Sequence, residues 1–158
     1  MVPVPGALDL REDDLSGPEV RALIREHLEF AARTSPRESR HALDVDDLRG
    51  PGVTFWTVWD GAALAGCGAL LELDAHHGEI KSMRTAGEHL RKGVATRILE
   101  HILAEARSRS YTRLSLETGA QAAFAPARAL YARFGFDYCG PFAAYAPDPN
   151  SVFMTRTV

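Results

Sequence analysis

The chain has 158 residues, 46% apolar and 25% charged, with 18 Lys and Arg against 21 Asp and Glu for a net charge of −3. That composition excludes a disordered tail, a collagen-like fibre and a disulfide-built miniprotein. The length fits one domain over residues 1–158, burying roughly 70% of the surface its unfolded chain exposes. A mildly acidic chain has no global field to attract nucleic acid or an anionic membrane, so any attraction of anions must be local.

In chain order, Met1 to Arg11 carries Pro3 and Pro5 but no basic region followed by an apolar stretch. No signal peptide is read there, and the expected location is cytoplasmic. The longest uncharged apolar run, Gly61 to Leu71, contains three glycines and falls short of the roughly 20 residues a membrane span needs. A short strand is predicted at Ala7 to Arg11. A helix follows from Pro18, at a favoured first position, to Arg33, with Val20, Leu23, Ile24, Leu28 and Ala31 on one face, and Pro36 stops it. Ser39 to Gly52 reads as a short helix and loop.

Val53 to Trp59 and Leu64 to Leu73, divided by Asp60-Gly61, read as a hairpin, and Gly78 to Thr85 as a third strand. The period then changes. Val94, Ile98, Leu99, Ile102, Leu103 and Ala106 fall at helical spacing, and Tyr111 to Glu117 is a strand again. Strand, helix and strand in that order predict a right-handed parallel βαβ crossover. A last helix over Phe124 to Phe134, with Pro126 in its first turn and Gly135 as a stop, precedes strands at Phe136 to Cys139 and Val152 to Thr157. The expected class is α/β in the mixed α+β sense: a central, mostly antiparallel sheet with one βαβ crossover and helices on both faces.

The segment Leu90-Arg91-Lys92-Gly93-Val94-Ala95-Thr96-Arg97 sits where a loop enters a helix. A helix start presents free N–H groups and a partial positive charge. Here the sequence adds basic residues where an isolated helix prefers acidic ones, and small residues let an anion reach the backbone. The segment resembles the acetyl-CoA pyrophosphate loop of the GNAT superfamily of N-acetyltransferases, Arg/Gln-x-x-Gly-x-Gly/Ala. Gly93 and Ala95 match its small positions, while Leu90 stands where the family has Arg or Gln.

Glu79-Ile80-Lys81-Ser82-Met83-Arg84-Thr85 resembles that family's fourth strand. Arg128 to Phe136, with Tyr131 before the Gly135-Phe136 pair, resembles its later helix-and-strand signature, although Phe124 replaces an expected Asn. The resemblance implies a GNAT-like fold and acetyl transfer from acetyl-CoA, as acyl donor, to a primary amine of a small molecule or peptide. It implies donor binding by Met83, Arg84, Thr85, Arg91, Lys92, Gly93, Val94, Ala95 and Thr96, with Arg97 adding charge. It places Glu79 as base, with Glu72 and Glu117 as alternatives, and Tyr131 as acid. By strand alternation Glu79 shares a face with Lys81, Met83 and Thr85.

Substrate is expected to enter between the N-terminal helices and the loop Gly140 to Asn150, where Tyr145 and Asp148 sit, and Asp44, Asp46 and Asp47 hint at a cationic acceptor. The contrasting reading is a non-catalytic acyl-CoA-binding or sensing domain. A homodimer through Trp56 and Trp59 is a third. His76-His77 reads as an exposed turn rather than a metal site, Gly66-Cys67-Gly68 as a bulge or close backbone approach, and Cys67 and Cys139 as unpaired thiols. No metal is expected.

Overall fold

The structure, a computed structural model, describes residues 7–158; the expectation that Met1 to Arg11 holds no signal peptide lies largely outside them. Seven strands form one sheet in the order β1-β2-β3-β4-β5-β7-β6. They are β1 (Leu8–Glu12), β2 (Val53–Asp60), β3 (Ala63–Asp74), β4 (His77–Thr85), β5 (Arg113–Gly119), β6 (Asp137–Cys139) and β7 (Ser151–Thr157). The helices are α1 (Pro18–Thr34), α2 (Val45–Leu48), α3 (Val94–Ser108) and α4 (Ala125–Arg133). None of the described helices is long and apolar enough to cross a membrane. Every strand pairing is antiparallel except β4 with β5, which α3 connects as the change of period predicts.

Two cores divide the sheet. On one face α3 buries Val94, Ile98, Leu99, Ile102 and Ala106 against Val58, Leu70, Ile80, Leu114 and Leu116, with Tyr131 of α4 in the same cluster. On the other face α1 and α2 bury Val20, Leu23, Ile24 and Leu48 against Phe55, Cys67 and Ala69. Each fully buried aliphatic side chain contributes about 1.5–3 kcal/mol, so α3, apolar along one face, is held by packing rather than by its termini.

The Gly66-Cys67-Gly68 segment is the close approach expected of it. A Cβ on Gly66 would stand 2.5 Å from Val94, and one on Gly68 would stand 2.6 Å from Ile98 and 2.8 Å from the Met83 sulfur. Opposite Gly68 lies a bulge in β4. Cys67 pairs with Arg84 and Ala69 with Lys81, leaving Ser82 and Met83 against one residue, and Ser82 takes φ of 56°.

Candidate active site

The bulge decides which side chains meet. Alternation would set Glu79, Lys81, Met83 and Thr85 on one face, but the extra residue reverses the order. Glu79 and Lys81 lie on the α1 face, Met83 packs into the α3 core, and Arg84 joins the α1 face with its guanidinium 5.1 Å from the ring centre of Phe30. Thr85, paired with Gly66, follows Met83. The expectation of one shared face is therefore corrected. The basic and acidic side chains of β4 go to one side, and the small and apolar ones go to the side of the α3 N-terminus.

Past the bulge the strands also part. β4 and β5 are paired only from His77 with Arg113 to Ile80 with Leu116, although β4 runs on to Thr85 and β5 to Gly119. Main-chain groups of β4 beyond Ile80 are thus left without β5 as a partner along the gap. The Ser82 hydroxyl is buried there without a hydrogen bond among the described residues.

At the α3 end of this gap, Gly93 is the helix N-cap with φ of 79°, a conformation suited to glycine, and Arg91 has φ of 64°. No side chain caps the helix and no acid occupies its first turn. The first helical bond runs from Arg97 N–H to Gly93 C=O at 2.9 Å, and among the described residues the amides of Val94, Ala95 and Thr96 have no backbone acceptor. Three free donors on the helix axis fit a phosphate group. Leu90, at the position of the missing Arg or Gln, is 61% exposed. Lys92 Nζ lies 3.5 Å from Asp60 and 3.3 Å from His89 Nδ1, at the end of the β2–β3 hairpin.

On the α1 face, Glu79 is 3% exposed and its Oε2 is engaged twice. Tyr145 donates its hydroxyl to it at 2.5 Å and Lys81 Nζ lies at 3.2 Å, with Lys81 also donating to the Tyr145 oxygen at 2.9 Å. Burial, the Glu79 charge and that hydrogen bond push the Tyr145 phenol well above its ordinary range. Glu117 stands beside this group on β5. Burial raises its carboxyl to about 7, opposed by the Lys81 charge and reinforced by those of Glu79 and Asp148. No side chain among the described residues hydrogen-bonds Glu117, which leaves it free to exchange a proton. Glu72 belongs elsewhere, accepting from the Tyr111 hydroxyl at 2.7 Å on the opposite face.

Tyr131 is 6% exposed and sits edge-on to Phe136, 6.0 Å between ring centres. Burial raises its phenol, so it stays protonated. It lies in the α3 core rather than against Glu79.

Other expected features resolve differently. Asp44 caps α2 by accepting from the Asp47 amide at 2.8 Å, and Asp47 accepts from the Asp44 amide at 3.3 Å. This capping box uses Asp44 and Asp47 locally, as helix-cap groups. Trp56 is buried, 4% exposed, and therefore presents no surface for a dimer. His77 is not free in its turn, since its Nε2 lies 2.6 Å from the Ser115 hydroxyl. Among the described residues no group of three or more His, Cys, Asp or Glu is arranged to hold a metal. Burial drives the Cys67 thiol up to about 12, and the thiol donates to the Ser82 carbonyl at 3.3 Å, so it is inert. Sequence reasoning noticed Tyr145 only as a loop residue; its bond to Glu79 spans 66 positions and leaves no local signal.

The model of the acetyltransferase (GNAT) family matches residues 19–136. The chain belongs to this family. It is 60% identical over 149 residues to the uncharacterised N-acetyltransferase YsnE of Bacillus subtilis, covering 94% of this chain and 99% of that one. Among solved structures, a candidate acyl-CoA N-acyltransferase from Klebsiella pneumoniae superposes with TM-score 0.77 at 27% identity, covering 96% of this chain and 98% of that one. A GNAT family acetyltransferase from Elizabethkingia anophelis with acetyl-CoA bound shares the fold at TM-score 0.64 and 15% identity, over 96% and 98% of the two chains. This GNAT protein is accordingly an N-acetyltransferase.

Proposed function

We propose that the protein transfers the acetyl group of acetyl-CoA directly to a primary amine of a small molecule, with Glu117 as base and Tyr131 as acid. The observation that carries this reading is the parting of β4 and β5. It leaves one gap bordered on the α3 face by free amides and on the α1 face by carboxylates. Acetyl-CoA supplies the activated thioester. The amides of Val94, Ala95 and Thr96 hold its pyrophosphate, Arg91 adds charge, and main-chain groups of Met83 to Thr85 accept the arm that leads to the thioester.

An ammonium has no lone pair, so a base must take a proton before attack. Glu117 takes the role expected of Glu79 because its carboxyl is unbonded and titrates near the operating pH, at about 7. The Glu79 carboxylate is committed to Tyr145 and Lys81. As the new C–N bond forms and the C–S bond breaks, the sulfur takes the Tyr131 hydroxyl proton. Its pKa, raised by burial, keeps that proton in place until the thiolate appears.

The test is a thermal-shift titration with acetyl-CoA, CoA and ATP, followed by thiol release with a panel of primary amines. At a hundredfold excess over Kd, binding adds about 2.7 kcal/mol. Shifts with acetyl-CoA and CoA but not ATP, and thiol release only when an amine is present, are expected. No shift with either thioester or thiol would overturn the reading.

A further inference from the structure

On the α1 face, beyond the acids, a second set of groups has no hydrogen-bond partner among the described residues. The Arg84 Nε is shielded from solvent and makes no hydrogen bond among the described residues, and no carboxylate there lies within ion-pair distance of its guanidinium. The same holds for the His27 Nδ1 on α1, buried without a partner. Burial, then the Arg84 charge, holds the His27 imidazole down at about 4, so it is neutral in ordinary buffers.

Beside them stands an apolar wall. Phe30 lies under the guanidinium at 5.1 Å and meets Phe124 edge-on at 5.3 Å. Buried polar groups in folded proteins are nearly always satisfied, and an orphaned guanidinium N–H demands an explanation. Lys81 on the same face differs in this respect, being fully engaged by Glu79 and Tyr145.

We infer that Arg84 is a carboxylate-binding residue of the acceptor site, and that the acceptor is a zwitterion, an α-amino acid with an apolar side chain. The inference rests on the acetyl-transfer reading above and names its substrate class. Charge order along the face supports it. Acid stands at Glu117 and base at Arg84, three residues past Lys81 on the adjoining strand, roughly 7–10 Å along a bulged β backbone. Two long side chains across that interval can hold an ammonium and a carboxylate separated by one carbon. The planar guanidinium fits a carboxylate in bidentate fashion, His27 in its Nδ1–H tautomer can donate a further hydrogen bond to one of the same oxygens, and Phe30 with Phe124 takes the apolar side chain. The main chain at position 84 stays on the donor's path while the side chain reads the acceptor.

The experiment compares matched ligands that differ only in the carboxylate: L-phenylalanine with phenethylamine, and L-leucine with isopentylamine. Binding is read by calorimetry on CoA-saturated protein and turnover by thiol release. The carboxylate-bearing member of each pair is expected to bind at least about tenfold more tightly. Arg84→Gln is expected to abolish that preference, and Arg84→Lys to retain part of it. Equal binding within the pairs, preference for the decarboxylated amines, failure of all four to bind, or a loss of acetyl-CoA affinity in place of the lost preference would each overturn the inference. The wild-type comparison needs no variant to fold, and calorimetry needs no turnover. Absence of thiol release with the preference intact would therefore strike the catalytic reading alone.

Discussion

The two sides of the parted strands are built from different materials. On the α3 side the recognition elements are main-chain: three amides at an uncapped helix start, a left-handed glycine, and a strand edge freed by the divergence of β4 from β5. On the α1 side they are side chains from β4, β5, α1 and the loop before β7, brought together across long intervals of sequence. A ligand read by backbone constrains what must be absent at a few consecutive positions, namely bulk and negative charge. A ligand read by side chains constrains distant residues that only the fold unites. The donor side can therefore be common to many proteins while the acceptor side is particular to one.

The largest effect expected from breaking this contrast lies on the side-chain half. Glu117→Gln removes the proton acceptor and leaves the shape, so kcat should fall by about 10²–10⁴-fold with acetyl-CoA affinity intact. In the native protein kcat/KM should climb as pH rises and level off above about 7, because the base acts in its ionised form and its carboxyl titrates there. The variant should lose that limb.

Stability should move the opposite way. The folded state holds this proton more tightly than the unfolded chain, so the carboxyl's contribution is present at low pH and lost as pH rises through about 7. Glu117→Gln should accordingly raise Tm at pH 8. A variant that is slower and less stable at that pH would mean Glu117 is a structural carboxylate.

Next in size is Tyr131→Phe, which keeps the ring against Phe136 and removes only the hydroxyl. Turnover should drop by about 10–100-fold, with acetyl-CoA affinity and Tm nearly unchanged, since the hydroxyl makes no hydrogen bond among the described residues. Unchanged turnover in a steady-state assay would remove Tyr131 from the chemistry.

The same division explains what the sequence disclosed. The strand–helix–strand order, the helix with Val94, Ile98 and Ile102 inward, and the paired glycines under it were readable because each follows from local period or residue size. The bulge at Ser82 and Met83 was not, since β4 contains no glycine there; its trace is Gly68 on the neighbouring strand, and alternation across it misplaces Met83, Thr85 and Arg84. Asp44 and Asp47 were read as a hint of a cationic acceptor, and the capping box that their spacing allows went unread. Glu79 was singled out for position, but its engagement by Lys81 and Tyr145, and the freedom of Glu117 beside it, depend on a loop folding back over β4.

The smallest effect tests the main-chain half and separates binding from folding. Thr96 is the third residue of α3, in a first turn without an acid. For the helix alone, Thr96→Glu is an improvement: a carboxylate near the positive end of the dipole contributes about 0.3–1 kcal/mol. If the free amides of Val94, Ala95 and Thr96 hold a pyrophosphate, the same charge repels it. Tm of the ligand-free protein should rise by a few degrees while acetyl-CoA affinity falls about tenfold by calorimetry, the loss shrinking as salt is added. A gain in Tm with affinity unchanged would mean that this helix start is only a poorly capped end. The opposed signs arise because the chain leaves this terminus without an acid, and a phosphate group would supply the missing negative charge.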